Sequence, residues 1–128
     1  MELIYRVILF AAGIINLLPA VLAFFPGKIP NSYGIELPDA NYELLLRHRA
    51  VLFGIIGGLM MFSAVTKKFY EIATVFGLIS MTSFILLYFL IGKDINSELR
   101  KVMLIDMIAA AILLIGCIAF LLTSNSNR

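Results

Sequence analysis

Asn41-Tyr-Glu-Leu-Leu-Leu-Arg-His-Arg-Ala-Val-Leu-Phe-Gly-Ile-Ile-Gly-Gly58 decides the fold. Three adjacent ionisable side chains, Arg47, His48 and Arg49, open a segment that is otherwise lipid-soluble as far as Val65. Ionisable groups at such a place are either anchored at a water boundary or built into a site.

Outward from that stretch the rest of the chain has the same character. Of 128 residues, 62% are hydrophobic and 14% charged, and the mean hydropathy is +1.02. A soluble core of this size has no use for so much apolar surface, so the bilayer is the solvent for most of the chain. The net charge of +2 comes from ten Lys and Arg scattered among loops and helix ends, without a block or stripe. That distribution argues against a nucleic-acid partner. The single cysteine, Cys117, lies inside an apolar run, so an internal disulfide, a CxxC redox pair and a cysteine zinc cluster are all excluded.

Four segments can span about 30 Å of hydrocarbon, for which about 20 residues are needed. They run roughly from Tyr5 to Phe25, Tyr42 to Val65, Phe69 to Ile91 and Leu99 to Leu122. The first, Val7 to Phe25 at its apolar core, exceeds a signal-peptide h-region and reads as a retained membrane helix. The expected architecture is all-α: one domain, an integral membrane four-helix bundle running antiparallel, up-down-up-down. The loop from Pro26 to Asn41 carries Pro26, Pro30, Pro38, Gly27 and Gly34, which break helix throughout. Its acids and Tyr33 suit an ordered cap over one end of the bundle, and a plain solvated connector is the alternative. Asp39 or Asn41 can cap the second helix, and Asn96 or Ser97 the fourth. The turn Thr66-Lys67-Lys68 forces a hairpin. The tail Ser124-Asn-Ser-Asn-Arg128 reads as polar and frayed.

Orientation rests on basic residues. Arg6, Lys67, Lys68 and Arg128 fall on the side of the termini, and Lys28, Lys93, Arg100 and Lys101 on the loop side, a tie under the positive-inside rule. The acidic, proline-rich loop suits the outer face, which places the termini in the cytoplasm.

At a rise of about 1.5 Å per residue, polar groups on all four helices reach one depth. Arg47, His48 and Arg49 fall roughly 8 to 14 Å inside the second helix and Asp106 roughly 12 to 14 Å inside the fourth. Asn16 on the first helix lies at a similar depth, and Ser83 and Tyr88 bracket the level on the third. At about 100° per residue, Arg47, Val51, Gly54 and Gly58 form one stripe with Glu43 a turn before it. The GxxxG spacing of Gly54 and Gly58 permits close backbone approach, so Arg47 is expected to face the interior and Arg49 the outside. Asp106 shares a stripe with Ala110, Leu113 and Cys117, and Asn16 one with Leu9, Ala12, Ala20 and Ala23. The third helix offers Gly77, Met81, Phe84 and Tyr88. An unpaired charge at that depth costs several kcal/mol. The expected arrangement is therefore Arg47 paired with Asp106, with Asn16, Tyr88 and Glu43 satisfying the remaining donors.

This polar layer admits two readings. It is a buried pair that fixes helix register, or a pocket for an anionic or polar headgroup whose apolar walls hold a tail. His48 is a boundary histidine or a proton-transfer group. Walker, GxGxxG and GxSxG motifs are missing, and no second histidine or thiolate completes a metal site. No cofactor and no metal are expected.

From Glu43 through Gly58, after a first helix with a Pro-rich exit and the Tyr33-Gly34 loop, the chain resembles the DoxX-like group of small bacterial membrane proteins. The resemblance covers most of the length and rests on an arginine followed by small residues opening the second helix. It implies a four-helix bundle in the inner membrane, with accessory roles beside oxidoreductases or, in similar eukaryotic proteins, chaperone or scaffold roles. The expected function is non-enzymatic: binding of a lipid-like ligand or a membrane-protein partner through the polar layer, among membrane lipids and in a homo-oligomer or with such a partner. The alternative is a membrane enzyme acting on a lipid, quinone or isoprenoid, with His48 as acid or base.

Overall fold

A computed structural model of the chain describes residues 1–126. Helix α1 covers Glu2–Leu17, the short α2 Ile29–Tyr33, α3 Ala40–Thr66, α4 Tyr70–Ile91 and α5 Ser97–Ser126. Among the described residues, Glu2–Ala23, Ala40–Thr66, Tyr70–Ile91 and Ser97–Ser126 are long and apolar enough to cross a membrane. The fold is all-α, and the protein is an integral membrane protein. The expected spans fall inside these four, apart from Phe24, Phe25 and Phe69. The last helix runs farther than expected, since Ser124 to Ser126 continue α5 and only Asn127 and Arg128 lie outside the described residues.

Local sequence explains where the helices start and stop. Pro19 has no N–H to give the carbonyl of Ile15, so the α-helical path ends at Leu17 and the chain tightens into a 3₁₀ helix over Leu18–Ala23. Asp39 caps α3, its Oδ1 accepting from the backbone N–H of Asn41 at 2.7 Å and of Tyr42 at 3.3 Å. Asn96 caps α5 by accepting from the Leu99 N–H at 2.9 Å. Asp39→Ala removes an N-cap, which costs about 1 kcal/mol. Hydrogen exchange at the amides of Asn41 and Tyr42 is therefore expected to speed up about fivefold, while that of the α4 amides stays unchanged.

The packing order follows small residues. In lipid no hydrophobic force draws helices together, so close contact and hydrogen bonds must do it. Helix α1 lies along α3 at its tightest where Gly13 meets Gly57: a Cβ on Gly57 would stand 2.6 Å from the Gly13 carbonyl oxygen and 2.7 Å from the Leu17 nitrogen. Gly54 faces Ala20, where a Cβ would stand 3.0 Å from the alanine methyl. Gly58, expected to share this contact, has nothing within 4 Å of the Cβ position. The contact face of α3 holds Ala50, Gly57, Met60 and Ala64, so the glycine that matters is one residue earlier than the GxxxG pattern indicates.

Two apolar clusters result. The larger, toward the termini, gathers Tyr5, Leu9, Ala12, Met60, Ala64, Ala73, Met81, Ala109, Ala110 and Leu113. Tyr5 anchors its outer end, stacked on Phe120 at 4.9 Å and edge-on to Tyr70 at 5.5 Å, with its hydroxyl bonded to that of Thr74. Arg6 closes the same end by donating to the Ala64 carbonyl at 2.6 Å. The smaller cluster, on the loop side, gathers Leu22, Ala23, Ile29, Tyr33 and Ala50. Ile29 is fully buried and Tyr33 nearly so, because their i, i+4 spacing puts both on one face of α2. The loop is therefore an ordered cap. Asn96 ties it down, its amide donating to the carbonyls of Tyr33 at 2.7 Å and Gly34 at 3.0 Å.

Candidate functional site

Where the two clusters meet, the bundle leaves a cavity of about 590 Å³. Ile15, Leu18 and Val21 from the first span, Phe53 from α3, and Val102 and Ile105 from α5 give it apolar walls. Lys28, Ser32 and Tyr33 reach it from the cap, and Asn16, Arg49 and Asp106 from the helices. It therefore sits at the depth at which the sequence places polar groups, under a lid built from the loop.

The pairing inside that layer is different from the one expected. Arg47 does not meet Asp106. Its Nε donates to the Ala23 carbonyl at 2.8 Å and its Nη1 to Glu43 Oε1 at 3.1 Å. That ion pair stays about 40% exposed, with 43% for Arg47 and 39% for Glu43. Arg49, expected to face outward, turns inward to the cavity. Its guanidinium lies against three rings, 4.9 Å from the centre of Phe53, 5.4 Å from Tyr33 and 5.4 Å from Phe84.

The reason is angular. Measured from the centre of the face formed by Ala50, Gly57, Met60 and Ala64, Arg49 lies about 65° away, Arg47 about 95° and His48 about 165°. Placing the seam on Gly58 instead of Gly57 rotates the inferred interior by roughly one residue's turn. That is enough to exchange the roles of the two arginines. His48 is exposed, on an outer groove with Glu43, Leu44 and Arg47, so it is not brought to Asp106. Tyr88 also stays out of the layer, half-buried with its ring edge-on to Phe89 at 5.5 Å.

Asn16 stands where the sequence puts it, 5% exposed. Its amide donates to the Ala12 carbonyl at 3.1 Å, and its Oδ1 accepts from the Ser80 hydroxyl at 2.9 Å. Ser80 was not foreseen as a partner, although its place one turn before Phe84 on the interior stripe of α4 is a usable signal. Lys28 and Ser32 were missed as well, because nothing in a proline-rich loop shows which way its side chains turn.

The electrostatics of the cavity are open-ended. Among the described residues the ion pairs are Glu43–Arg47, Glu2–Lys67 and Glu98–Lys101. Neither Arg49 nor Asp106 belongs to one, although both border one cavity. Burial pushes the Tyr33 phenol up, and the Arg49 guanidinium beside it acts in the opposite sense. The phenol thus stays a protonated donor at neutral pH. No group of three or more His, Cys, Asp or Glu is placed to hold a metal among the described residues. Chemically the cavity can hold an apolar body and present hydrogen-bond donors and one carboxylate to a polar end. No protein-family model, curated protein or solved structure matches the chain.

Proposed function

We propose that this protein is a non-enzymatic, lipid-binding four-helix membrane protein of the DoxX-like kind. It takes the polar end of a membrane amphiphile into the capped cavity between α1, α3 and α5. The observation that carries this reading is the 590 Å³ cavity with Arg49 and Asp106 on its border and neither closed by a protein ion pair. Leaving a guanidinium and a carboxylate unpaired at this depth costs free energy that a bound polar headgroup recovers. A purely structural pair would touch.

A cavity of this volume favours a small amphiphile over a protein partner, which would need a broad surface. The separation of His48 from Asp106 favours binding over catalysis. We further place the chain in a bacterial inner membrane, up-down-up-down, with the termini cytoplasmic and the cap on the outer face. Contacts at both ends of the first span, Arg6 to Ala64 and Arg47 to Ala23, support the alternating direction of that span and α3.

Photo-crosslinking tests the reading directly. A diazirine-bearing phospholipid in proteoliposomes is expected to label Ile15, Phe53 and Val102, with adducts located by mass spectrometry. Arg49→Gln is expected to reduce these adducts about tenfold, equivalent to about 1.4 kcal/mol. Adducts confined to bilayer-facing positions such as Leu86, Ile115 and Leu122 would sink the proposal.

A further inference from the structure

Building on that reading, we infer that the cavity selects a zwitterionic headgroup carrying both a phosphate and a primary ammonium, as in phosphatidylethanolamine. The Arg49 Cζ lies over three rings at 4.9 to 5.4 Å, and among the described residues its guanidinium donates no hydrogen bond within the protein. Its N–H groups are therefore available to a ligand, and a guanidinium binds phosphate bidentately. Ser32, Tyr33 and Lys28 line the same cavity from the cap, with the Lys28 ammonium over the Phe25 ring at 5.4 Å. These groups make a donor-rich side suited to phosphate oxygens.

Asp106 sets the other half of the recognition. An ionised carboxylate only accepts hydrogen bonds, so beside a lone phosphate it adds repulsion. A primary ammonium removes that conflict, because it brings a positive charge and three N–H donors. A trimethylammonium head has the charge without the donors, and a glycerol head has hydroxyls without the charge. Each leaves Asp106 less well satisfied, which is how a site rejects near-isosteres.

The acyl chains have a path outward. A groove of about 320 Å³ between α3 and α4 shares Arg49 and Phe53 with the cavity and continues past Ile56, Phe76 and Ile79. Phe76 and Ile79 are exposed on the outer face of α4, where the bilayer lies. A headgroup held at Arg49 can therefore keep its tails in lipid, which makes a membrane lipid the source of this chemistry.

The test is competitive. The protein is placed in nanodiscs of equimolar phosphatidylethanolamine, phosphatidylglycerol and phosphatidylcholine with matched chains, then released for native mass spectrometry. Phosphatidylethanolamine is expected to be retained at least fivefold over each of the others. Asp106→Asn is expected to abolish this preference, and Asp106→Glu to restore it. The preference is a ratio read within one folded population, so partial loss of folding in a variant does not mimic the result. Equal or better retention of phosphatidylglycerol, or a preference that survives Asp106→Asn, overturns the inference. Soluble glycerophosphoethanolamine is added as a second probe, and displacement by it at the concentration of the lipid overturns the lipid source. Cavity crosslinks that form equally with all three lipids remove the headgroup selectivity and leave the binding reading standing. A lack of cavity crosslinks with any lipid removes both.

Discussion

Gly57→Ala is expected to destabilise the folded protein by about 1–3 kcal/mol, the usual cost of overpacking a tight contact. Gly58→Ala is expected to stabilise it by up to about 1 kcal/mol, the helix-propensity gain of alanine over glycine. The opposite signs follow from what each methyl meets. At Gly57 it would press on backbone atoms of α1, 2.6 Å from the Gly13 oxygen and 2.7 Å from the Leu17 nitrogen. Backbone cannot rotate away as a side chain can, so the two helices must part. In lipid that separation forfeits the close contact that holds them together. At Gly58 the same methyl meets nothing within 4 Å. Midpoints of detergent-induced unfolding in mixed micelles measure both. If Gly58→Ala were the damaging change, the α1–α3 seam described above would be wrong.

The fold was legible because the signals that specify it are coarse. Four long apolar runs and the Asp39 and Asn96 caps act locally, and each does in the structure what its chemistry dictates. Interior stripes were legible on three helices for a related reason. Leu9, Ala12 and Asn16 on α1, Gly77 and Met81 on α4, and Ala110 and Leu113 on α5 are all buried. On those helices the small and polar residues coincide on one side.

Helix α3 is where this failed. It carries small residues at 50, 54, 57, 58, 63 and 64, so two overlapping seams fit its sequence equally well. Only the partner decides between them. Gly13 on α1 selects Gly57, a choice made by a contact 44 positions away in the chain and invisible in local spacing. Everything distinctive about the site follows from that rotation: Arg49 goes in, Arg47 pairs with Glu43 at the rim, and His48 goes out. The remaining cavity residues of the cap were illegible for a different reason, since Lys28 and Ser32 reach the cavity only because the loop packs through Ile29.

Tyr5→Ala is expected to cost about 3–5 kcal/mol, the range for deleting a large buried aromatic ring, and Tyr5→Phe about 1 kcal/mol for the hydroxyl alone. Tyr5 is 1% exposed and joins three spans at the end of the bundle away from the cavity. It stacks on Phe120 of α5, meets Tyr70 of α4 edge-on, and bonds Thr74 of α4 through its hydroxyl. Aromatic pairs of this geometry add about 0.5–1.5 kcal/mol beyond the area they cover. Removal of the ring leaves Phe120 and Tyr70 without their shared neighbour. Unfolding midpoints in mixed micelles give both costs. The lipid crosslinks of the cavity provide a second readout, because Tyr5 borders none of it. A folded Tyr5→Phe protein should label at Ile15, Phe53 and Val102 as the parent does, whereas Arg49→Gln should lose labelling with little change in stability. If Tyr5→Phe lost the crosslinks while keeping its unfolding midpoint, the packing end and the binding end of the bundle would not be the separate parts that the two apolar clusters make them.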